Sequence, residues 1–140
     1  MIVTRARDPK RTPFYLARAD DYVNYPLSGV GVNAKAIKQN GDQIKRTIRA
    51  LVKASRFIRD NREEAVQILM SWGKAKPEHA YAAYDATVKI ISQDGGIPAD
   101  GLNLLIDQAK RDVKVSRDIP LSEIADLSIL REVQNELKLR

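Results

Sequence analysis

Helix stop and start signals divide the chain more clearly than any other feature of its sequence. They are Asn-Gly at 40–41, Asp-Asn at 60–61, Gly73 before Pro77, and Asp-Gly-Gly at 94–96 before Pro98. Glycine, asparagine and proline commonly end or begin helices, because they disturb or cap the helical hydrogen-bond pattern. Between these points apolar residues recur every three or four positions, which is the period of an amphipathic helix. The sequence therefore predicts about six helices from residue 34 onward.

The two central helices are predicted in most detail. Asp42 suits the N-cap of the first, since its carboxylate can accept a hydrogen bond from a first-turn amide. The apolar stripe of that helix is Ile44, Ile48, Leu51, Val52, Ser55 and Ile58. The second helix starts at Arg62 and carries apolar residues around more than one face, so we expect it to be buried on two sides. Gly73 is predicted to end it in a left-handed conformation.

Strand-forming residues are concentrated between residues 21 and 33. Tyr22 begins the pattern, and Val30 and Val32 alternate with glycines, which predicts one or two short strands with Pro26 at an edge or turn. Two such strands are marginal unless further strands or a helix cover them. The predicted fold class is therefore α/β but mostly helical. The predicted organisation is an irregular segment over 1–20 and one helix-rich domain over 21–140.

Residue types that carry reaction chemistry are scarce. The chain has no cysteine, which excludes disulfides and thiolate metal sites, and its one histidine, His79, has no second ligand at metal-binding spacing. The glycines of Gly29–Lys35 lack the full dinucleotide-binding pattern and favour close packing in a strand. No serine lies in a hydrolase elbow motif. We therefore expect a protein that is not an enzyme and uses no cofactor or metal.

The charge is uneven along the chain, and its basic part offers one candidate site. The net charge is +6, with 13 Lys and Arg against 5 Asp and Glu in residues 1–60 and a small excess of acid after that. Arg46, Arg49, Lys53 and Arg56 share one helix face and could contact phosphates. No DNA-binding motif or interleaved aromatic residue accompanies them. A solvated helix face is the preferred interpretation, and an anionic partner such as nucleic acid is the alternative.

A second candidate site lies beside the predicted turn. Tyr22, Asn24 and Tyr25 combine two aromatic faces with one amide, which could line a pocket for a small polar or ring-bearing molecule. The alternative is that both tyrosines are half-buried strand residues whose hydroxyls face water. No apolar run approaches the ~20 residues of a membrane span. The N-terminal residues contain no apolar signal region, so a cytoplasmic protein is expected if Met1 is the native start.

The ordered set of segments resembles a known family. Tyr25-Pro26, Gly29 to Val32, Lys38 to Asn40, Asn61 to Ala65, and the closing stretches "DGGIPADGLNLLIDQAK" and "PLSEIADLSIL" are similar to the later part of substrate-binding proteins of ABC transporters. The similar members are of the nitrate/sulfonate/taurine and thiamine-precursor type. The resemblance covers roughly residues 14–130. It implies a partial lobe of a type II periplasmic binding protein fold.

The resemblance also implies a function and leaves a gap. Family members are periplasmic, do no catalysis, and are about twice this length, with two lobes that close on a solute. The chain would then be a truncated or incomplete binding component, for a small organic nitrogen, sulfur or pyrimidine-type solute and its transporter permease. Tyr22, Asn24 and Tyr25 fall nearest the family's cleft. A homodimer or a second chain could supply the missing lobe by pairing at a free strand edge. A degraded gene product with no present function is a third interpretation.

Overall fold

The computed structural model describes Tyr22, Pro26 and residues 28–139, and these residues form helices joined by short loops. The helices are α1 (Ala34–Gln39), α2 (Gly41–Asp60), α3 (Arg62–Gly73), α4 (Pro77–Thr87), α5 (Ala99–Val113), α6 (Leu121–Ile124) and α7 (Ser128–Glu136), with a 3₁₀ turn at Val88–Ile90. The predicted helix-rich character is confirmed. Within this part of the chain no helix has the length and apolar character needed to cross a bilayer.

Local side-chain chemistry contributes to three of the helix boundaries. The Asn33 side chain caps α1 by accepting a hydrogen bond from the Ala36 amide at 2.7 Å. Asn61 separates α2 from α3, and its amide group donates to the Phe57 carbonyl at 3.0 Å in the last turn of α2. Pro77 occupies the first turn of α4, where a missing amide hydrogen costs nothing. The predicted helix starts at Arg62 and Pro77 are therefore confirmed.

The contacts divide the chain into two compact units. Among the described residues, one unit contains Pro98–Leu121 and therefore α5, in which Ile106 is buried. The other unit contains Val30–Ile97 and residues 122–139. The proposed division into residues 1–20 and a single domain over 21–140 stays a prediction, because its first segment lies outside the described residues.

The larger unit has two small apolar centres along α2. At one, α3 packs on α4 through Ala65, Val66, Ala80 and Tyr84, and the Tyr84 hydroxyl donates to the Ile58 carbonyl at 2.7 Å. At the other, α2 packs on α7, where Val52, Leu130 and Val133 are buried. Both centres consist of modest side chains. Val66 and Val133 are the largest fully buried ones among the described residues.

The strand prediction is wrong where the structure describes it. Residues 28–33 form no strand, and Val30 and Val32 are exposed. A β-carbon added at Gly29 or Gly31 would meet nothing within 4 Å, so close packing does not explain these glycines. Strand-forming residues need a neighbouring strand for their backbone hydrogen bonds, and none is present in the described part of the chain. The rest of the predicted strand region, at residues 21, 23–25 and 27, lies outside the described residues.

Two predicted helix ends are also corrected. Asp42 lies inside the first turn of α2, and Asn40 occupies the N-cap position. The left-handed residue after α3 is Lys74, with φ of 53°, whereas Gly73 is the last helical residue. The apolar surface of α3 is covered only in part, because Ile68 and Trp72 are exposed while Ala65 and Val66 are buried.

Candidate functional site

The predicted ligand cluster is described only in part. Tyr22 lies in a turn and its side chain is exposed. Asn24 and Tyr25 lie outside the described residues. A pocket formed by these three residues therefore stays a prediction.

The predicted basic face of α2 is divided by contacts with α7. Arg49 forms an ion pair with Glu136, with its Nε 3.1 Å from the carboxylate, so its charge is already matched. Arg46, Lys53 and Arg56 are exposed and form no ion pair with another described residue. Three of the four predicted cations thus remain available to an anionic partner.

An aromatic residue lies beside these cations, although the sequence pattern predicts none there. Phe57 is 40% exposed and lies one helical turn after Lys53. The helical spacing places Phe57 near the cations. It does not predict that the ring is exposed, because Phe57 is next to Ile58, which belongs to the apolar stripe of α2. An exposed aromatic ring beside cations is the arrangement that stacks unpaired bases.

The carboxylates of α7 bind a second α2 cation. Lys45 Nζ lies 2.8 Å from Glu132 and 2.7 Å from Glu136. These hydrogen bonds raise the pKa of the Lys45 ammonium. Hydrogen bonds from Lys45 and, as the next largest cause, from Arg49 lower the pKa of the Glu136 carboxyl. The cluster joins two helices whose residues are 87 apart in sequence, and its role is to fix α7 on α2.

A second charged cluster joins α3 to α4. The Arg62 guanidinium donates to both Asp85 oxygens, at 3.1 and 2.9 Å, and lies 4.8 Å from the Tyr81 ring centre. Hydrogen bonding to Arg62 holds the pKa of Asp85 below its usual value. The Tyr81 hydroxyl donates to Glu63, which lowers the pKa of Glu63 and raises that of Tyr81. Each charged group has a partner, so the arrangement suits a structural clamp.

Shallow grooves occur on the unit that contains α5. One, of about 580 Å³, lies between α5 and residues 118–120 and includes Ile106, Asp107, Lys110 and Asp118. Lys110 and Asp118 form an ion pair of 3.3 Å across it. That contact pairs two of the charged groups that line the groove.

Metal-binding groups do not come together in the part of the chain that the structure describes. No cluster of three His, Asp or Glu side chains could hold a metal ion there. His79 lies in the first turn of α4 and is exposed, in agreement with a surface histidine.

Comparison of the chain with protein-family models, with curated proteins and with solved structures found no match.

Proposed function

We propose that the chain is the helical covering layer of one lobe of a solute-binding component for an ABC-type importer. The proposal rests on the resemblance of residues 14–130 to the later part of such proteins. It assigns capture of a small organic nitrogen, sulfur or pyrimidine-type solute, with no catalytic step. The transporter permease would be the protein partner.

The observation that carries the proposal is the size of the apolar side chains: many of the exposed ones are larger than most of the buried ones. The buried centres contain nothing larger than Tyr84, and most of their members are valines and alanines. Larger apolar side chains remain exposed on several helices, among them Leu51 and Phe57 on α2, Leu104 on α5 and Ile124 on α6. We infer that a further layer of the complete lobe covers these side chains. A helical layer that normally packs on a sheet would leave this pattern.

Helix order supports the same proposal. The resemblance implies helix starts after Asn40 and at Asn61, and α2 and α3 begin at those places. The ligand residues offered by the resemblance are Tyr22, Asn24 and Tyr25.

Thermal unfolding in the presence of candidate solutes tests the proposal. Nitrate, taurine, an alkanesulfonate and an aminopyrimidine would be added separately, and the unfolding midpoint followed by circular dichroism. A solute at about 100 times its Kd stabilises a folded protein by about 2.7 kcal/mol, which raises the midpoint by several degrees. Tyr22→Ala should reduce the shift without changing the midpoint of the unliganded protein, since this side chain is exposed.

The matched control is Phe57→Ala, which removes another exposed aromatic ring and should leave the solute-dependent shift unchanged. The same panel would be applied to any longer in-frame product of the gene. Absence of a shift for both the chain and that product would contradict the proposal.

The second candidate function is binding of an anionic partner by Arg46, Lys53 and Arg56. It is favoured by the exposure and unmatched charge of these three residues among the described ones, with Phe57 beside them. Three phosphate contacts would give a slope of roughly −2 for log affinity against log salt with single-stranded nucleic acid. Fluorescence anisotropy of a labelled oligonucleotide at several salt concentrations measures that slope.

A charge-matched control distinguishes binding at the α2 face from binding that depends only on the net positive charge of the chain. Replacing all three cations with glutamine should abolish binding. Replacing Lys89, Arg111 and Lys114, which are also exposed, should preserve most of it. Equal loss in both variants would exclude the α2 face as the site.

A further inference from the structure

Helix α3 presents an apolar stripe that its own fold leaves uncovered. Ala65 and Val66 on one side of the helix are buried, whereas Ile68 and Trp72 are 54% and 85% exposed. Residues four apart lie one turn apart on the same face, so these two side chains are adjacent along the helix. Tryptophan is the residue most enriched among the energetic centres of protein interfaces.

Unmatched charges stand at the two ends of this stripe. Glu64 lies one turn before Ile68, and Lys74 and Lys76 follow the C-terminal end of α3. All three side chains are exposed, and none forms an ion pair with another described residue. Glu63, in contrast, is already paired with Arg62 and Tyr81. The stripe therefore has an acid, Glu64, in the first turn of α3, apolar side chains at Ile68 and Trp72, and the bases Lys74 and Lys76 just after the helix ends.

This arrangement of charged and apolar side chains is complementary to the same arrangement on a second copy of the helix that runs in the opposite direction. When two α3 helices pack antiparallel about a two-fold axis, Ile68 lies opposite Trp72 of the partner subunit. Glu64 then faces the partner's Lys74 and the partner's Lys76. Each contact occurs twice, which is the property of an isologous interface. The opposite charges favour the antiparallel arrangement, and a parallel one would place like charges together.

We propose that the α3 face formed by Glu64, Ile68, Trp72, Lys74 and Lys76 binds the same face of a second copy of the chain. The proposal does not depend on the function proposed above or on a strand edge. One helix of 12 residues is about 18 Å long, so the contact lies at the small end of specific interfaces. We therefore expect a reversible dimer with a Kd on the order of tens of micromolar.

Sedimentation equilibrium and fluorescence of the full chain test the dimer together. Trp72 is the only tryptophan, so its emission reports the proposed interface directly. Between about 1 and 500 µM the mass should rise toward that of a dimer, while the emission shifts to shorter wavelength with the same midpoint. A monomer over this whole range would overturn the proposal. So would an emission maximum that does not depend on concentration.

Substitutions then locate the surface. Trp72→Ala should raise the dimer Kd at least about 10-fold with an unchanged circular dichroism spectrum, because the side chain is exposed. Phe57→Ala, the matched aromatic control on α2, should leave the Kd within about 2-fold of its original value. A dimer that persists in Trp72→Ala would place the contact elsewhere and overturn the proposal.

Charge exchange tests the antiparallel arrangement. Glu64→Lys should weaken the dimer, because lysines would then face lysines across the two-fold axis. Adding Lys74→Glu and Lys76→Glu in the same chain should restore it. A triple variant no tighter than Glu64→Lys alone would exclude the proposed pairing.

Discussion

Gly95 offers the sharpest test of how the loop before α5 packs in the larger unit. It has a φ of +77°, a conformation that other residues adopt only with strain. A β-carbon added there would lie 3.0 Å from Val52 Cγ2 and 3.2 Å from Leu130 Cδ1. Both neighbours belong to the centre between α2 and α7, so Gly95→Ala disturbs the backbone and a buried contact at once.

The expected magnitude follows from three contributions. The left-handed conformation costs alanine about 1–2 kcal/mol. Displacing two side-chain methyl groups by a few tenths of an ångström adds up to about 1 kcal/mol. The smaller freedom of alanine in the unfolded chain offsets about 0.4–1 kcal/mol. The net loss should therefore be about 1–2 kcal/mol.

Urea unfolding followed by far-ultraviolet circular dichroism measures this loss. With a slope of about 2 kcal/mol per molar urea, the midpoint should fall by about 0.5–1 M. Gly73→Ala is the matched control, since Gly73 is helical and a β-carbon there meets nothing within 4 Å. That change should be neutral or stabilising by up to about 1 kcal/mol.

A double-mutant cycle with Val52→Ala separates the two costs of Gly95→Ala. Removing Val52 Cγ2 should relieve the contact but leave the backbone strain, so Gly95→Ala should cost less in that background. An unchanged urea midpoint for the single variant Gly95→Ala would refute the reasoning, because neither strain nor contact would then exist.

Three further predictions concern the helix contacts. Val66→Ala should cost about 2 kcal/mol of unfolding free energy in the same urea assay, because Val66 is completely buried between α3 and α4. Tyr84→Phe should cost about 1 kcal/mol by removing the hydrogen bond to the Ile58 carbonyl, and a loss no larger than that of an exposed substitution would contradict it. The pKa values of Asp85 and Glu136 are lowered in the folded state, so their contribution is complete above the unfolded values near 4 and disappears as the pH falls through the folded ones. Urea midpoints between pH 6 and 2 should show this fall, and Glu136→Gln should make it shallower; equal slopes would contradict the assignment.

Part of the candidate surface could be predicted from the sequence. The spacing of Arg46, Lys53 and Arg56 placed them on one face of α2, and the structure confirms that they are exposed together. The loss of Arg49 from that face could not be predicted, because Glu136 lies 87 residues away in the chain. Contacts of such separation depend on how α7 packs on α2. The periodicity of either helix alone does not determine that packing.

The exposed apolar face of α3 could also be predicted only in part from the sequence. The sequence places apolar residues on more than one side of this helix, and that pattern predicted burial on two sides. Only the packing of α3 on α4 decided that Val66 would be covered and Trp72 exposed. A helix of this composition can place either part of its apolar surface in a core of limited size.

The sequence by itself determined where most helices begin and which residues form their apolar faces. Asn61 and Pro77 act through hydrogen bonds and ring geometry within a few residues, so neighbouring sequence suffices to predict their effect. Tertiary structure decided which apolar faces are covered and which charges are paired. It also placed the left-handed residue at Lys74 rather than Gly73, and left Val30 and Val32 without a strand neighbour among the residues that the structure describes. The covered faces and the paired charges require partners distant in the chain, and local preference cannot supply a partner.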